Sequence, residues 1–168
     1  AGEIVHGDFG AVMDIAPVAD AAYVAVTALG LPGAEVGMLR RVTMDDGVLR
    51  DRSIVSHRGS AAGMTVDVDG DALCFATWSP GRYEDGYNLW TFADVRGATP
   101  RRTGAAGSLD WVYQIACRRA DADTDRLYVA DEWGGLEIWH ARRDGRAGAL
   151  SLDLDRDRFA TGTLSVGL

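Results

Sequence analysis

Short apolar runs separated by turn residues make up most of the chain. Runs such as AAYVAVT at 21–27, LCFA at 73–76 and LYVA at 127–130 are bounded by turns rich in Gly, Pro and Asp, and a further turn is predicted at Asp45-Asp46-Gly47. Apolar runs of this length, without a helical period, predict buried β-strands. No stretch shows the amphipathic period of a helix of ordinary length, so the pattern predicts an all-β fold.

The predicted strands recur in units of four, about every 50 residues. In the second strand of each unit an Asp shortly precedes an Ala, namely Ala25, Ala76 and Ala130 at steps of 51 and 54. The third strands match at Met38-Leu39, Leu89-Trp90 and Ile138-Trp139, and the first strands match at Ile15, Val66 and Ile115. A four-stranded antiparallel unit of this length predicts the blades of a β-propeller, each of which buries its faces against its neighbours.

We interpret residues 1–168 as a single propeller segment. Its three repeats span about 11–58, 59–106 and 107–155, with partial strands at 1–10 and 158–168. Because propellers close with about four to eight blades, three blades alone leave apolar faces and strand edges uncovered. We therefore expect an incomplete ring, completed by missing sequence, by a protein partner or by a second copy of the chain.

The third repeat carries a family resemblance. Tyr128-Val129-Ala130-Asp131, a short Gly-containing turn, and Gly135-Leu136-Glu137-Ile138 resemble the LVIVD-type, WD40-like bacterial β-propeller repeat. Tyr23-Val24-Ala25 fits the first half of that pattern, and the second repeat departs further from it. The resemblance implies a binding or scaffold role, often at the bacterial cell surface, and it supplies no catalytic residues. Fold analogy by itself is a weak guide to function.

Charge and composition narrow the class of partner. The formal net charge is −8, and all 17 basic residues are Arg. This acidic balance disfavours nucleic-acid binding and anionic membrane surfaces. No apolar run reaches the roughly 18 residues that span a bilayer, so we expect no membrane insertion. Arg-only usage indicates a GC-rich bacterial genome; the compartment stays open, with export or the cell surface as alternatives.

The two cysteines, Cys74 and Cys117, lie in the apolar runs LCFA and IAC. We interpret them as buried reduced thiols, because free Cys behaves as a small hydrophobe. A disulfide between them is the alternative, and no Cys spacing indicates a metal site.

One end of the predicted blades collects aromatic and acidic residues. In a propeller, loops that join fourth to first strands share a face with loops that join second and third strands, and loops on a rigid scaffold often carry function. Trp, Tyr and Arg are enriched at interaction hot spots. The candidate ligand-binding residues on this face are Trp78, Arg82, Tyr83, Glu84, Asp110, Trp111, Glu132 and Trp133. Aromatics that only pack against neighbouring loops are the alternative.

Other polar positions suggest channel or metal chemistry. Three first-strand residues, Asp14, Thr65 and Gln114, are candidates to line a central channel. No cofactor is predicted. Two metal alternatives stay open: Ca²⁺ at the alternating carboxylates of 67–71 or 121–125, and a transition metal at His6 and His57. Asp-rich hairpin turns explain the same carboxylates without a metal.

These features favour a non-catalytic β-propeller module that binds a protein or an extracellular ligand through its loop-rich face. Two alternatives stay open. One is part of a propeller-fold enzyme, dependent on metal or carboxylates, with its site at the channel mouth. The other is a carbohydrate-binding propeller that uses the Trp and Tyr loops. No nucleophile elbow, P-loop or dinucleotide fingerprint is present in the sequence.

Overall fold

A computed structural model describes residues 10–28, 36–67, 69–78, 87–107, 111–131, 135–144 and 149–154. These residues form an all-β structure, as predicted. Its strands are β1 (Gly10–Val18), β2 (Ala21–Ala28), β3 (Val36–Asp45), β4 (Val48–Arg58), β5 (Ala61–Val66), β6 (Ala72–Thr77), β7 (Leu89–Ala93), β8 (Arg101–Ala106), β9 (Val112–Arg119), β10 (Thr124–Asp131), β11 (Gly135–Asp144) and β12 (Ala149–Leu154).

The strands form three antiparallel sheets of four, each from consecutive strands. The first sheet has the order β1-β2-β3-β4, the second β5-β6-β7-β8, and the third β9-β10-β11-β12. Every strand in a sheet pairs with the next along the chain, which short hairpin turns allow. The four-strand repeat expected from the sequence is therefore confirmed.

The β3–β4 hairpin shows how the sequence specifies one of these turns. Asp46 and Gly47 have φ of 50° and 78°, and Asp45 pairs with Val48 across the hairpin. A two-residue loop with positive φ at both positions matches the twist of the strands that it joins, and Asp-Gly is a favoured sequence for it. The turn predicted at 45–47 is confirmed.

Each first strand contains one extra residue at the same place in the ladder. In β1, Val12 pairs with Val26 and Asp14 with Ala25, which leaves Met13 outside the register. Ala62 in β5 and Tyr113 in β9 are the corresponding extra residues, beside Ala76 and Ala130. These β-bulges bend the strand and increase its twist. Three bulges beside the same three alanines confirm that the alanines are equivalent.

The ladders correct predicted equivalences in the first and third strands. Ala76 pairs with Gly63, so Gly63 rather than Thr65 is the counterpart of Asp14 and Gln114. The predicted match of Val66 with Ile15 and Ile115 is wrong for the same reason, because Met64 holds that position. The residues opposite the three alanines in the third strands are Leu39, Leu89 and Leu136. The predicted matches of Trp90 and Trp139 with Leu39 are wrong. Trp90 lies one residue and Trp139 three residues beyond the equivalent leucine, and an odd shift moves a side chain to the other face.

Consecutive sheets pack face to face around two apolar clusters. Between the first and second sheets, Tyr23 and Leu39 pack against Phe75, Trp90 and Phe92. Between the second and third sheets, smaller residues of β6 pack against the third sheet; the buried members of this cluster are Ala72, Cys74, Ala76, Leu89, Val112, Ile115, Leu127, Val129, Trp139 and Ala141. Alternate residues of β6 thus enter different clusters, which explains why all of β6 is buried and reads as an unbroken apolar run.

The packing gives each sheet a direction. We call the face toward the next sheet along the chain the forward face, and the opposite side the back face. The first sheet's forward face carries Tyr23, whose hydroxyl donates a 2.8 Å hydrogen bond to the Val95 carbonyl, in the turn between β7 and β8. The first strands β1, β5 and β9 lie side by side, with β5 in contact with both of the others.

Candidate binding site

The three bulges meet at one apolar pocket. Met13, Ala62 and Tyr113, one from each sheet, all line a cavity of about 300 Å³. The cavity forms where β1, β5 and β9 come together, because each bulge turns its extra side chain away from the regular ladder. The other described residues that line it are Ala11, Thr27, Ser60, Ala61 and Trp78.

Four of the residues that line the pocket carry a polar side-chain group: Thr27, Ser60, Trp78 and Tyr113. The Thr27 hydroxyl accepts a 3.0 Å hydrogen bond from the Ala61 amide, which ties β2 to β5. The Ser60 carbonyl accepts a 2.6 Å hydrogen bond from the Trp78 amide. The surface presented to a ligand is mainly apolar, because the polar groups are few among Ala and Met side chains and aromatic rings, as in most small-ligand sites.

Three aromatic rings stand together at the pocket rim. The Trp78 ring centroid lies 5.1 Å from that of Trp111 and 5.6 Å from that of Tyr113, the latter in an edge-to-face arrangement. Both tryptophans remain partly exposed, at 38% and 39%. Offset and edge-to-face ring pairs of this kind are stabilising. Trp78 follows β6 and Trp111 precedes β9, so the described ends of these two loops meet at one edge of the sheets.

The predicted ligand-binding residues divide into two groups. Trp78 and Trp111 lie at the pocket edge. The remaining members lie outside the described residues: they are Arg82, Tyr83, Glu84, Asp110, Glu132 and Trp133. The metal candidate His6 also lies outside the described residues. The backbone of His57 pairs with Gly37 at the end of β4, and its side chain also lies outside the described part.

The candidate channel residues come from neighbouring strands, but only two hold equivalent positions. Asp14 and Gln114 each follow a bulge, while Thr65 lies two residues beyond Gly63, the equivalent position of β5. The Asp14 carboxylate accepts hydrogen bonds from the Met64 amide at 2.9 Å and from the Ile15 amide at 2.8 Å. Asp14 thus links the first sheet to the second.

Sequence reasoning missed the bulge residues that build the pocket. Met13, Ala62 and Tyr113 were not candidates, because nothing in an apolar run marks the residue that leaves the ladder. The residues opposite the repeated alanines, Asp14, Gly63 and Gln114, are themselves unevenly spaced and differ in type, so neither spacing nor composition marked the bulges.

At the opposite end of the sheets, carboxylates and arginines form a network between the second and third sheets. Arg143 pairs with Asp67, with Asp69 at 2.6 Å and with Asp125 at 3.2 Å. Arg119 pairs with Asp69 at 2.8 Å and with Asp125 at 2.5 Å. Hydrogen bonding from Arg119 lowers the pKa of Asp69. The side chains of Asp67 and Asp125 are 1% and 0% exposed, so the two arginines compensate buried negative charge.

The alternating carboxylates therefore have structural roles here. Asp67 accepts hydrogen bonds from the amides of Asp71 and Ala72 at 2.8 and 2.9 Å, which closes the β5–β6 turn. Asp71 pairs with Arg96 at 2.9 Å. Asp121 accepts a 3.0 Å hydrogen bond from the Asp123 amide, as short turns of this type require. Within the described ranges, no group of three or more His, Cys, Asp or Glu is arranged to hold a metal ion.

Both cysteines lie near this network as free thiols. Cys74 is buried, which raises its pKa well above the ordinary value, and burial raises the pKa of Cys117 to about 12. Protonated thiols are poor nucleophiles and poor metal ligands. The two cysteines are unpaired, as expected, but only Cys74 is buried, whereas Cys117 is half-buried.

No protein-family model matches the chain, and no curated protein matches it. Among the described residues, no helix has the length and apolar character needed to cross a membrane.

Proposed function

We propose that the three sheets are consecutive blades of a β-propeller and that the chain is a non-catalytic binding module. Three observations support the propeller: chain-order packing of the sheets, the side-by-side first strands and the equivalent bulges. In a propeller the innermost strands surround the axis, and loops at one end form a shared binding face. The resemblance to LVIVD-type repeats agrees with this architecture.

The apolar pocket carries the proposal. Binding sites are commonly concave, mostly apolar and about 300 Å³ or larger, and this pocket has that size with three sheets contributing to its wall. A pocket of about 300 Å³ accommodates one large side chain. The exposed Trp78 and Trp111 beside it supply aromatic contact surface of the kind enriched at hot spots.

The partner that this site fits is a protein segment that inserts one apolar side chain. The pocket offers few hydrogen-bonding groups, which disfavours a sugar as its occupant because sugar hydroxyls must be satisfied when buried. The net charge of −8 favours a partner with basic residues around the anchor, since charge complementarity raises association rates.

Selection from a phage-displayed random peptide library tests this function. Peptides that bind the chain should share one large apolar residue at a fixed position, flanked by Arg or Lys. Met13→Ala removes side-chain contact from the pocket wall and should weaken binding by about tenfold. Binding is measured by fluorescence anisotropy with the labelled peptide.

Met44→Ala is the matched control. Met13 and Met44 are both strand methionines of the first sheet, exposed to 49% and 54%, but only Met13 lines the pocket. Equal loss of peptide affinity in the two variants would contradict the pocket site. Binding of the chain to a panel of glycans is measured in parallel. The carbohydrate-binding alternative would be favoured if the chain bound a sugar, if Trp78→Ala abolished that binding, and if the library yielded no peptide.

A further inference from the structure

The back face of the first sheet is exposed where its counterparts are buried. Val12 and Ile15 of β1 are 52% and 59% exposed. By the ladder, the equivalents of these residues flank the bulges in β5 and β9: they are Ala61 at 1%, Met64 at 5%, Val112 at 0% and Ile115 at 4%. In those sheets the same positions pack against the preceding sheet. The cross-strand partners Val24 and Val26 are buried already, so the exposed patch lies along β1.

The forward face of the third sheet repeats a face that is packed elsewhere. Tyr128, Ala130 and Leu136 occupy the positions that Tyr23, Ala25 and Leu39 hold in the first sheet. In the first sheet this face is buried against the second sheet, and the Tyr23 hydroxyl reaches Val95 across the interface. In the third sheet Tyr128 and Leu136 are only half-buried.

The charges near the exposed back face are already compensated. Arg40 and Asp51, on β3 and β4, pair with each other at 2.6 Å, and their cross-strand partners Val24 and Val42 place them on the back face. Covering Arg40 and Asp51 therefore buries a compensated pair rather than a lone charge, which would cost several kcal/mol.

We propose that the forward face of the third sheet binds the back face of the first sheet in a second copy of the chain. The described residues leave one face of each kind without a sheet packed on it, and the internal interfaces already join a forward face to a back face. Continuing that packing between copies makes a head-to-tail contact, and two such contacts related by a twofold axis close a pair of chains. This inference does not depend on the ligand-binding proposal, because the pocket lies within one chain.

Sedimentation equilibrium of the chain, over a concentration series, tests the proposal. The wild-type chain should self-associate to a dimer. Ile15→Asp places a charge in the contact and should weaken association at least about 30-fold. Val48→Asp is the control, because Val48 is equally exposed at 57% but lies at the tip of the β3–β4 hairpin. A wild-type chain that stays monomeric, or equal effects of the two substitutions, would overturn the proposal.

A mixing experiment distinguishes head-to-tail contact from a contact between like faces. Tyr128→Asp damages the forward face, and Ile15→Asp damages the back face, so each variant alone should be monomeric. Mixed together, they retain one undamaged pair of faces and should form a heterodimer. Failure of the mixture to associate, when circular dichroism shows both variants folded, would refute head-to-tail contact.

Discussion

The two interfaces between consecutive sheets use different chemistry for the same geometric task. Between the first and second sheets, large side chains fill the space: Tyr23, Phe75 and Trp90 are each at most 2% exposed. Between the second and third sheets, the β6 side chains are Ala72, Cys74 and Ala76, and the ion network of two arginines with Asp67, Asp69 and Asp125 borders them. The four-strand repeat therefore determines how consecutive sheets are arranged, whereas different side chains stabilise each of the two interfaces.

This difference has an energetic meaning. Burial of aromatic surface contributes in proportion to area, at about 25 cal/mol per Å². A buried ion pair contributes little net stability, but breaking it leaves an uncompensated charge. We therefore expect the aromatic interface to respond mainly to loss of volume, and the ionic interface to respond to loss of one partner and to pH.

The largest effect should come from the aromatic interface. Phe75→Ala removes a fully buried ring that packs on Trp90 with ring centroids 5.7 Å apart. The transfer and cavity terms together should lower the free energy of unfolding by about 3–5 kcal/mol. Urea denaturation measures the change, with Met44→Ala, an exposed site, expected to cost less than about 0.5 kcal/mol. A loss below 1 kcal/mol would mean that the ring is not essential to this interface.

A smaller loss should follow when the ionic interface loses one arginine. Arg143→Met leaves Asp67 and Asp125 buried with one cationic partner fewer, although Asp67 keeps its two amide donors and Asp125 keeps Arg119. We expect a loss of about 2–3 kcal/mol in the free energy of unfolding. Urea denaturation at neutral pH provides the measurement.

Arg50→Met is the matched control for this prediction. Arg50 pairs with Asp45 at 2.9 Å, but the two side chains are 68% and 56% exposed. An exposed pair contributes about 0–1 kcal/mol. Equal losses of stability in the two arginine variants would show that the buried network contributes no more than an exposed ion pair.

The smallest effect should appear as pH dependence at the same interface. The pKa of Asp69 is lowered in the folded chain, so its contribution is present above the unfolded value of about 3.9 and is lost as pH falls through the lower folded value. Asp69→Asn should therefore lose stability relative to wild type at pH 7, and the difference should shrink as pH falls below about 4. Thermal unfolding across this pH series is the measurement.

The Arg119→Met background provides the control. Arg119 is the main cause of the shift at Asp69, so Asp69→Asn should have a weaker pH-dependent effect when Arg119 is absent. An unchanged pH profile in that background would assign the effect to Arg143 instead.

The sequence predicted the strands well because their determinants are local. The continuous apolar runs at 21–27 and 73–76 lie in β2 and β6, and Asp46-Gly47 forms the expected turn. The sheet order also followed, since antiparallel neighbours need only short turns. Even the meeting of Trp78 with Trp111 was implied, because strand alternation determines which loops share an edge.

The pocket and the ion network could not be predicted in the same way. A bulge depends on how two strands pair over their whole length, so Met13 and Tyr113 looked like ordinary members of apolar runs. The pairing of Asp67 with Arg143 joins residues 76 positions apart, which charge patterning along the chain does not reveal. The Asp-rich turns were identified, and their arginine partners in the folded chain were not.

The three bulges have a consequence for how such a site diversifies. A bulge is specified by the count of residues in a strand rather than by the side chain of the extra residue. Met13, Ala62 and Tyr113 are three different side chains at one backbone position, so the scaffold already tolerates substitution there. Substitution at these three positions should therefore change the shape and the ligand selectivity of the pocket, while the hydrogen-bonded ladders that hold the sheets together stay the same.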